Sequence, residues 1–463
     1  MTRICKYTKT AMAVLLLGWG VWLSADYPAV REEAVSGGLD RAQAVAVDPE
    51  GCVIVTGYSY SEQTDYDFLT VKYDADGRLL WTARYDGPAR SSDYASSVSV
   101  DEQGNVYAAG HSNGLGTSLD LTVVKYDKDG LELWAYRYDG PSRRDDYAQA
   151  VSVDSRGQIF VTGYSFGAGT EHDFITLKLN ADGNLVWADR HNPPRNRDDS
   201  AHDLALHPES GIVIAGTDRV QGTSYDFLTI HYDADGNRLW ESRYSTPGDE
   251  YDTARALAVG GDGSVFVTGT SYRREEGFDM VTLRYDPLGG QVWKAEFGGP
   301  AGRMDASVDI AADQSGQVYV AGKSIGADSA FDICLLKYDP EGRQSWLKRY
   351  NGPGNGADVP AALEVDAHDD VVLTGYSRGS GTGRDLLTIK YDSEGSILWE
   401  QRWNGPANGE DRPVSMALDS AGNVIITGYS LGGDGTFDFL TLKYSPGGQV
   451  LWVARWPERN RSE

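Results

Sequence analysis

The chain has 463 residues, a formal net charge of −26 and 55 glycines. So acidic a surface repels nucleic acid and anionic membrane faces, which are held by clustered Lys and Arg, but it suits a soluble protein and tolerates cations. Frequent glycine, with aspartate at regular places, means many tight turns and points to an all-β chain.

The N-terminus differs in kind from the rest. Arg3, Lys6 and Lys9 are basic, Ala11 to Leu23 is a run of apolar residues and glycines, and Ser24-Ala25 offers a small-residue cleavage site. That layout predicts a secretory signal peptide over 1–25. The run is too short for a membrane span, which needs about 20 residues. Export to the periplasm, cell surface or medium follows, with no membrane insertion once the signal is cut. Residues 26–39 form an N-terminal segment of weak pattern. Cys52 and Cys334, which remain after cleavage, fall in distant repeats, so neither a disulfide nor a zinc site is expected.

From Asp40 onward the chain repeats. Trp81, Trp134, Trp187, Trp240, Trp293, Trp346, Trp399 and Trp452 recur every 53 residues without insertion or deletion, and such a period signals a repeat architecture. One unit reads as four strands. In the second, Val98 and Val100 alternate with polar residues in strand a, Val106–His111 is strand b, Asp120–Tyr126 strand c and Leu131–Tyr138 strand d, joined by Gly-rich and Asp-Gly turns. Eight such units predict a single eight-bladed β-propeller over 40–463, with four antiparallel strands per blade. The uniform length favours a closed ring, and the chain order lets blade eight form from one continuous segment.

In strand a, a large apolar row (Val45, Val98, Val151, Leu204 and their successors) alternates with a mostly small one, as expected where blades converge on an axis. Each Trp can bury about 150–250 Å², an upper bound of roughly 4–6 kcal/mol per blade. The glycine of the Asp-Gly turn (Gly77, Gly130 and so on) fits a positive-φ position. The Gly57 row marks a bulge or a close approach between blades.

The run Asp146 to Ser165 followed by Asp173 to Gly183 resembles the bacterial β-propeller repeats known as SBBP, and the pattern is similar to that of NHL-type propellers. The resemblance implies an exported, often surface-associated propeller without a defined activity. It also implies seven blades, whereas this chain counts eight.

Two aspartate rows recur in all eight units. The first is Asp40, Asp93, Asp146, Asp199, Asp252, Asp305, Asp358 and Asp411, at the start of strand a. These are candidate ligand-binding carboxylates around the central channel, unless each caps its own loop by accepting a backbone N–H. Asp203, Asp309 and Glu364 break small-residue rows and join them as candidates on one side of the channel. The second row, Asp67 and its equivalents, begins strand c. Folding the c–d hairpin with Tyr73 opposite Arg78 places Asp67 opposite Arg84, a cross-strand ion pair of about 0.2–1 kcal/mol that recurs at Arg137, Arg190, Arg243, Arg349, Arg402 and Arg455. In the fifth blade Glu296 replaces the arginine, so Asp279 and Glu296 are candidate metal ligands. Beyond calcium no cofactor is suggested. Most of the seven histidines replace another residue type in their row and read as drift.

No blade is longer than another, whereas enzymes on propellers need unlike groups assembled by unlike loops. The expected function is therefore an exported binding or scaffold module, monomeric, with a carbohydrate or protein ligand met through the b–c and d–a loops and no catalysis of its own. The alternatives are a polysaccharide-directed hydrolase or lyase using acids at the channel mouth, and a structural cell-surface protein.

Overall fold

The computed structural model describes residues 39–457, except 193–197, 210, 220–223, 248–249, 275–276 and 328. The predicted signal peptide and nearly all of the segment 26–39 lie outside them. The described residues form 32 strands in eight four-stranded sheets, each paired antiparallel in the order a–b–c–d. In blade 2 the strands are Asp93–Val100, Val106–Asn113, Leu119–Tyr126 and Glu132–Tyr138. The a strands touch one another in sequence around the ring, and strand a of blade 8 (Asp411–Leu418) closes onto strand a of blade 1 (Arg41–Val47). Blades 1 and 8 each take all four strands from one continuous segment, so among the described residues no strand is lent across the seam. Among the described residues no helix is long and apolar enough to cross a membrane.

The apolar core is divided among the joints between blades. Tyr107, Leu121 and Val123 of blade 2 pack on Val151, Ile159 and Leu177 of blade 3, and seven equivalent clusters fill the other joints. At the seam, Val45, Val55 and Val71 of blade 1 meet Ile425 and Phe439 of blade 8. Burial on both sheet faces explains why strands b and c read as nearly unbroken apolar runs.

The tryptophans stitch these joints at the rim. Trp81 Nε1 donates to the Lys128 carbonyl in the Asp-Gly turn of the next blade at 3.0 Å. The same bond recurs at every joint, and Trp452 closes the ring on Ala75 at 3.0 Å. Most of these indoles are only half-buried and Trp293 alone is buried, so the apolar gain per blade falls below the upper bound. Turn glycine and tryptophan fit together. Gly183 has φ +82°, and a Cβ there would lie 2.6 Å from Trp134 Cδ2. The glycine is thus demanded by the neighbouring blade's indole as well as by the turn.

One expectation about register changes. The c–d hairpin slips by one: Tyr73 pairs with Leu79 and a bulge follows, so Leu69, not Asp67, faces Arg84. The cause is the turn. Asp74 Oδ1 accepts the N–H groups of Asp76 and Arg78 while Asp74 N–H donates to Arg78 O, which draws Arg78 out of the strand. The bulge associated with the Gly57 row sits on strand a, between Ala42 and Ala44. Gly57 accommodates it, because a Cβ there would meet the Arg41 carbonyl oxygen at 2.0 Å.

Candidate functional site

Strands a and c run parallel, so the first-row and second-row aspartates end on one face with the b–c and d–a loops. There the first row points inward. Asp93 Oδ2 accepts Gly87 N–H at 2.6 Å and its Oδ1 accepts Asn113 N–H at 3.1 Å, so one carboxylate clamps the d–a loop to the end of strand b. Asp358 does the same with Gly352 and Arg378. Asp146, Asp252, Asp305 and Asp411 each accept the d–a loop N–H, Asp40 accepts Tyr60 N–H at the end of strand b, and Asp199 accepts Arg219 N–H just beyond strand b. All eight side chains are buried. Burial raises the Asp93 and Asp146 carboxyls to about 6 and Asp199 to about 8. A raised carboxyl can serve as a general acid, but these face loop backbone inside the wall.

Asp203 and Asp309 also serve the wall. Asp203 Oδ2 accepts Leu257 N–H of the next blade at 2.8 Å, and Asp309 Oδ2 accepts Leu363 N–H at 2.8 Å. Ser97 and Ser415 make the equivalent contacts to Val151 and Val45. This position is polar in blades 2, 4, 6 and 8 and alanine (Ala44, Ala150, Ala256, Ala362) in the others, so the inner joints alternate. Arg255 lies in the electrostatic reach of both Asp203 and Asp309. Glu364 is half-buried on strand a of blade 7.

The second row forms its ion pairs diagonally. Arg84 reaches Asp67 at 2.7 Å, and Arg137, Arg190, Arg349, Arg402 and Arg455 repeat the contact. The carboxylates are buried rather than edge-exposed. Blade 4 departs, for Arg243 turns to Asp218 at 2.8 Å instead of Asp226. In blade 5, Arg273 from strand b supplies the missing cation. It bridges Glu296 and reaches Asp279 at 3.9 Å, while Lys294 holds Glu296 at 2.6 Å. Burial pushes the Glu296 carboxyl up, yet Arg273 and Lys294 outweigh it and hold it below the usual range. The two acids therefore do not face each other as an open cation site. Oxygen atoms of Asp67, Asp86 and Asp93, and of Asp120, Asp139 and Asp146, do gather within 4.8 Å, at the joints following blades 1 and 2.

One paired change among the histidines went unread. Six blades carry an aspartate after strand a and a lysine on strand c, and ion pairs between them form in blades 1, 7 and 8, as Asp48 and Lys72 do at 2.9 Å. Blade 4 has His207 and His231 instead, buried with ring centroids 4.3 Å apart. The sequence signal was joint departure in two rows that are 24 residues apart.

Aromatic side chains cluster beneath the loops of this face. Tyr60, Tyr66, Tyr58 and Tyr94 are linked by ring contacts of 5.0–5.6 Å. The series continues from Tyr94 through His111, Tyr147, Tyr164 and His172 to Phe166, at spacings of 4.0–5.3 Å. It spans three blades, and most of its rings are half-buried. A shorter group on blades 4 and 5 joins Tyr225, Tyr251, Phe278 and Tyr272. The repeat alignment showed tyrosines near these loops, but their contact depends on strand ends meeting across joints.

The SBBP beta-propeller repeat profile matches residues 83–116, from strand d of blade 1 into the b–c loop of blade 2. No curated protein matches the sequence significantly. Among solved structures the chain is similar to a eukaryotic initiation factor at 10% identity, covering 91% of this chain and 89% of that one with a TM-score of 0.48. It is also similar to the β-propeller domain of a trilobed protease from Pyrococcus furiosus, at 12% identity, 80% and 100% coverage and a TM-score of 0.44. A third is a PL25 polysaccharide lyase, ulvan lyase, at 10% identity, 76% and 89% coverage and a TM-score of 0.42.

Proposed function

We propose that this propeller is an exported binding module that holds a carbohydrate on its loop face and has no catalytic activity of its own. The observation that carries the reading is the ring series from Tyr60 to Phe166. Tyrosines offer large, rigid, amphipathic contact area at low entropic cost, and a sheet-end position fixes them without an ordering loop. The polysaccharide-directed enzyme is the weaker reading, because Asp93, Asp146, Asp203 and Asp309 each accept backbone N–H groups and are buried. Calcium enters through the two three-carboxylate groups beside the loops. The test is glycan-array binding by the purified protein with and without calcium. Binding that is lost in a Tyr147→Ala, Tyr164→Ala variant supports the module. Silence on every glycan in both conditions sinks the carbohydrate reading and turns attention to protein ligands or scaffolding.

A further inference from the structure

The aromatic loop face is also where basic side chains collect, on a protein whose net charge is −26. Arg41 lies 4.7 Å from the Tyr429 ring centroid and 5.3 Å from that of Phe437. It also contacts Tyr58, so it joins the rings of blade 8 to the start of the series in blade 1. At the far end Arg144 lies 3.8 Å over Phe166. Around the rest of the face Arg219 sits over Tyr225 and Lys323 over Phe331, while Arg384 and Arg412 share Tyr376. The last two also share Glu410, so the two ends of the long series, not blade 7, carry the argument.

A guanidinium laid flat on a ring keeps its in-plane N–H groups at the edge, where they suit a carboxylate or sulfate bidentately. The contact to the ring is screened by salt less than an exposed ion pair, because the cation is already partly desolvated. The expected ring of carboxylates at this mouth is folded into the wall, each side chain buried and accepting at least one backbone N–H. What remains along blades 1 to 3 is ring area with Arg41 at one end and Arg144 at the other, and with Asp65 and Asp145 beside the intervening rings. That combination matches a sugar with an apolar pyranose face and an anionic substituent.

Resting on the carbohydrate reading above, we infer that the ligand is an anionic polysaccharide lying along the rings of blades 1 to 3, with its acidic groups held by Arg41 and Arg144. The rest of the acidic surface repels polyanions, so association is confined to this strip and to chains that fit it.

The experiment is affinity electrophoresis of the purified protein in gels containing polygalacturonate, carrageenan or neutral xylan, with Arg144→Gln and Arg41→Gln variants alongside. Arg144 is exposed, so its replacement leaves folding intact. We expect retardation by a polyanion and none by xylan, with the apparent affinity falling about tenfold in either variant, equivalent to about 1.4 kcal/mol. Retardation by polygalacturonate alone assigns the arginines to carboxylates, and by carrageenan alone to sulfates. Retardation by xylan alone overturns the inference and leaves the carbohydrate module standing. Polyanion binding unchanged in both variants also overturns it. No retardation by any polysaccharide overturns both readings.

Discussion

Asp199 shows most clearly what the first aspartate row does. It is fully buried, accepts Arg219 N–H at 2.7 Å, and has a carboxyl raised to about 8 by burial, with the Asp218 and Asp173 charges adding to the effect. Its unfolded value is the ordinary 3.8. Between those values the folded state binds the extra proton, so the stability that this group contributes is fully present below about pH 4 and is lost as pH rises toward 8. Asp199→Asn keeps the acceptor and removes the titration. Thermal melts from pH 5 to pH 9 should therefore fall less steeply in the variant than in the parent, and parallel curves would refute the assignment. Asp93→Ala leaves Gly87 and Asn113 N–H groups without their acceptor and should cost about 2 kcal/mol in urea unfolding. That every repeat needs these aspartates was legible in the sequence. Their direction was not, because the acceptor's partners lie 6 residues before and 20 after, and only the folded sheet brings those two segments together.

At the scale of the blade, the Trp row and the Gly row are two halves of one contact. Both were legible as rows, yet their contact was not, since Gly183 touches an indole 49 residues earlier in the chain. Gly183→Ala must strain a φ of +82° and displace Trp134, whereas Gly116, with φ +79°, has nothing within 4 Å of an added Cβ. Gly116→Ala should cost about 1–2 kcal/mol, the backbone term alone. Gly183→Ala should exceed it by at least about 1 kcal/mol, and equal losses would mean that the indole yields freely. Trp134→Phe removes the 3.1 Å bond to Ala181 O and should cost about 1 kcal/mol. The hairpin register, by contrast, differs from the expectation by one residue at the turn and by two beyond the bulge, because an aspartate turn captures Arg78. Side-chain hydrogen bonds of this kind compete with the ladder and leave the strand pattern unchanged.

Across the whole molecule the blade count and the continuous blades followed from the constant period, and the described residues bear both out. The alternation of alanine with serine or aspartate on strand a was hidden within a row read simply as small. Seven joints are tethered by the chain and one is not. Removing Trp134 or Trp452 deletes the same contact, but only at the untethered joint can the blades separate fully, because a linker maintains a high effective concentration at the others. Limited proteolysis of Trp452→Ala should release fragments from blades 1 and 8, while Trp134→Ala should resist under the same conditions. Equal cleavage would show that the ring does not open at the seam. In its contacts, however, that joint is like the rest: Trp452 to Ala75, Ser415 to Val45 and an apolar cluster of ordinary make-up. The order of the blades is therefore cyclic information, and the position of the chain ends is an accident written onto it. A circular permutant whose ends are cut in the loop between blades 2 and 3, and whose old ends are bridged by a copy of residues 86–92, should keep every joint and the same unfolding midpoint.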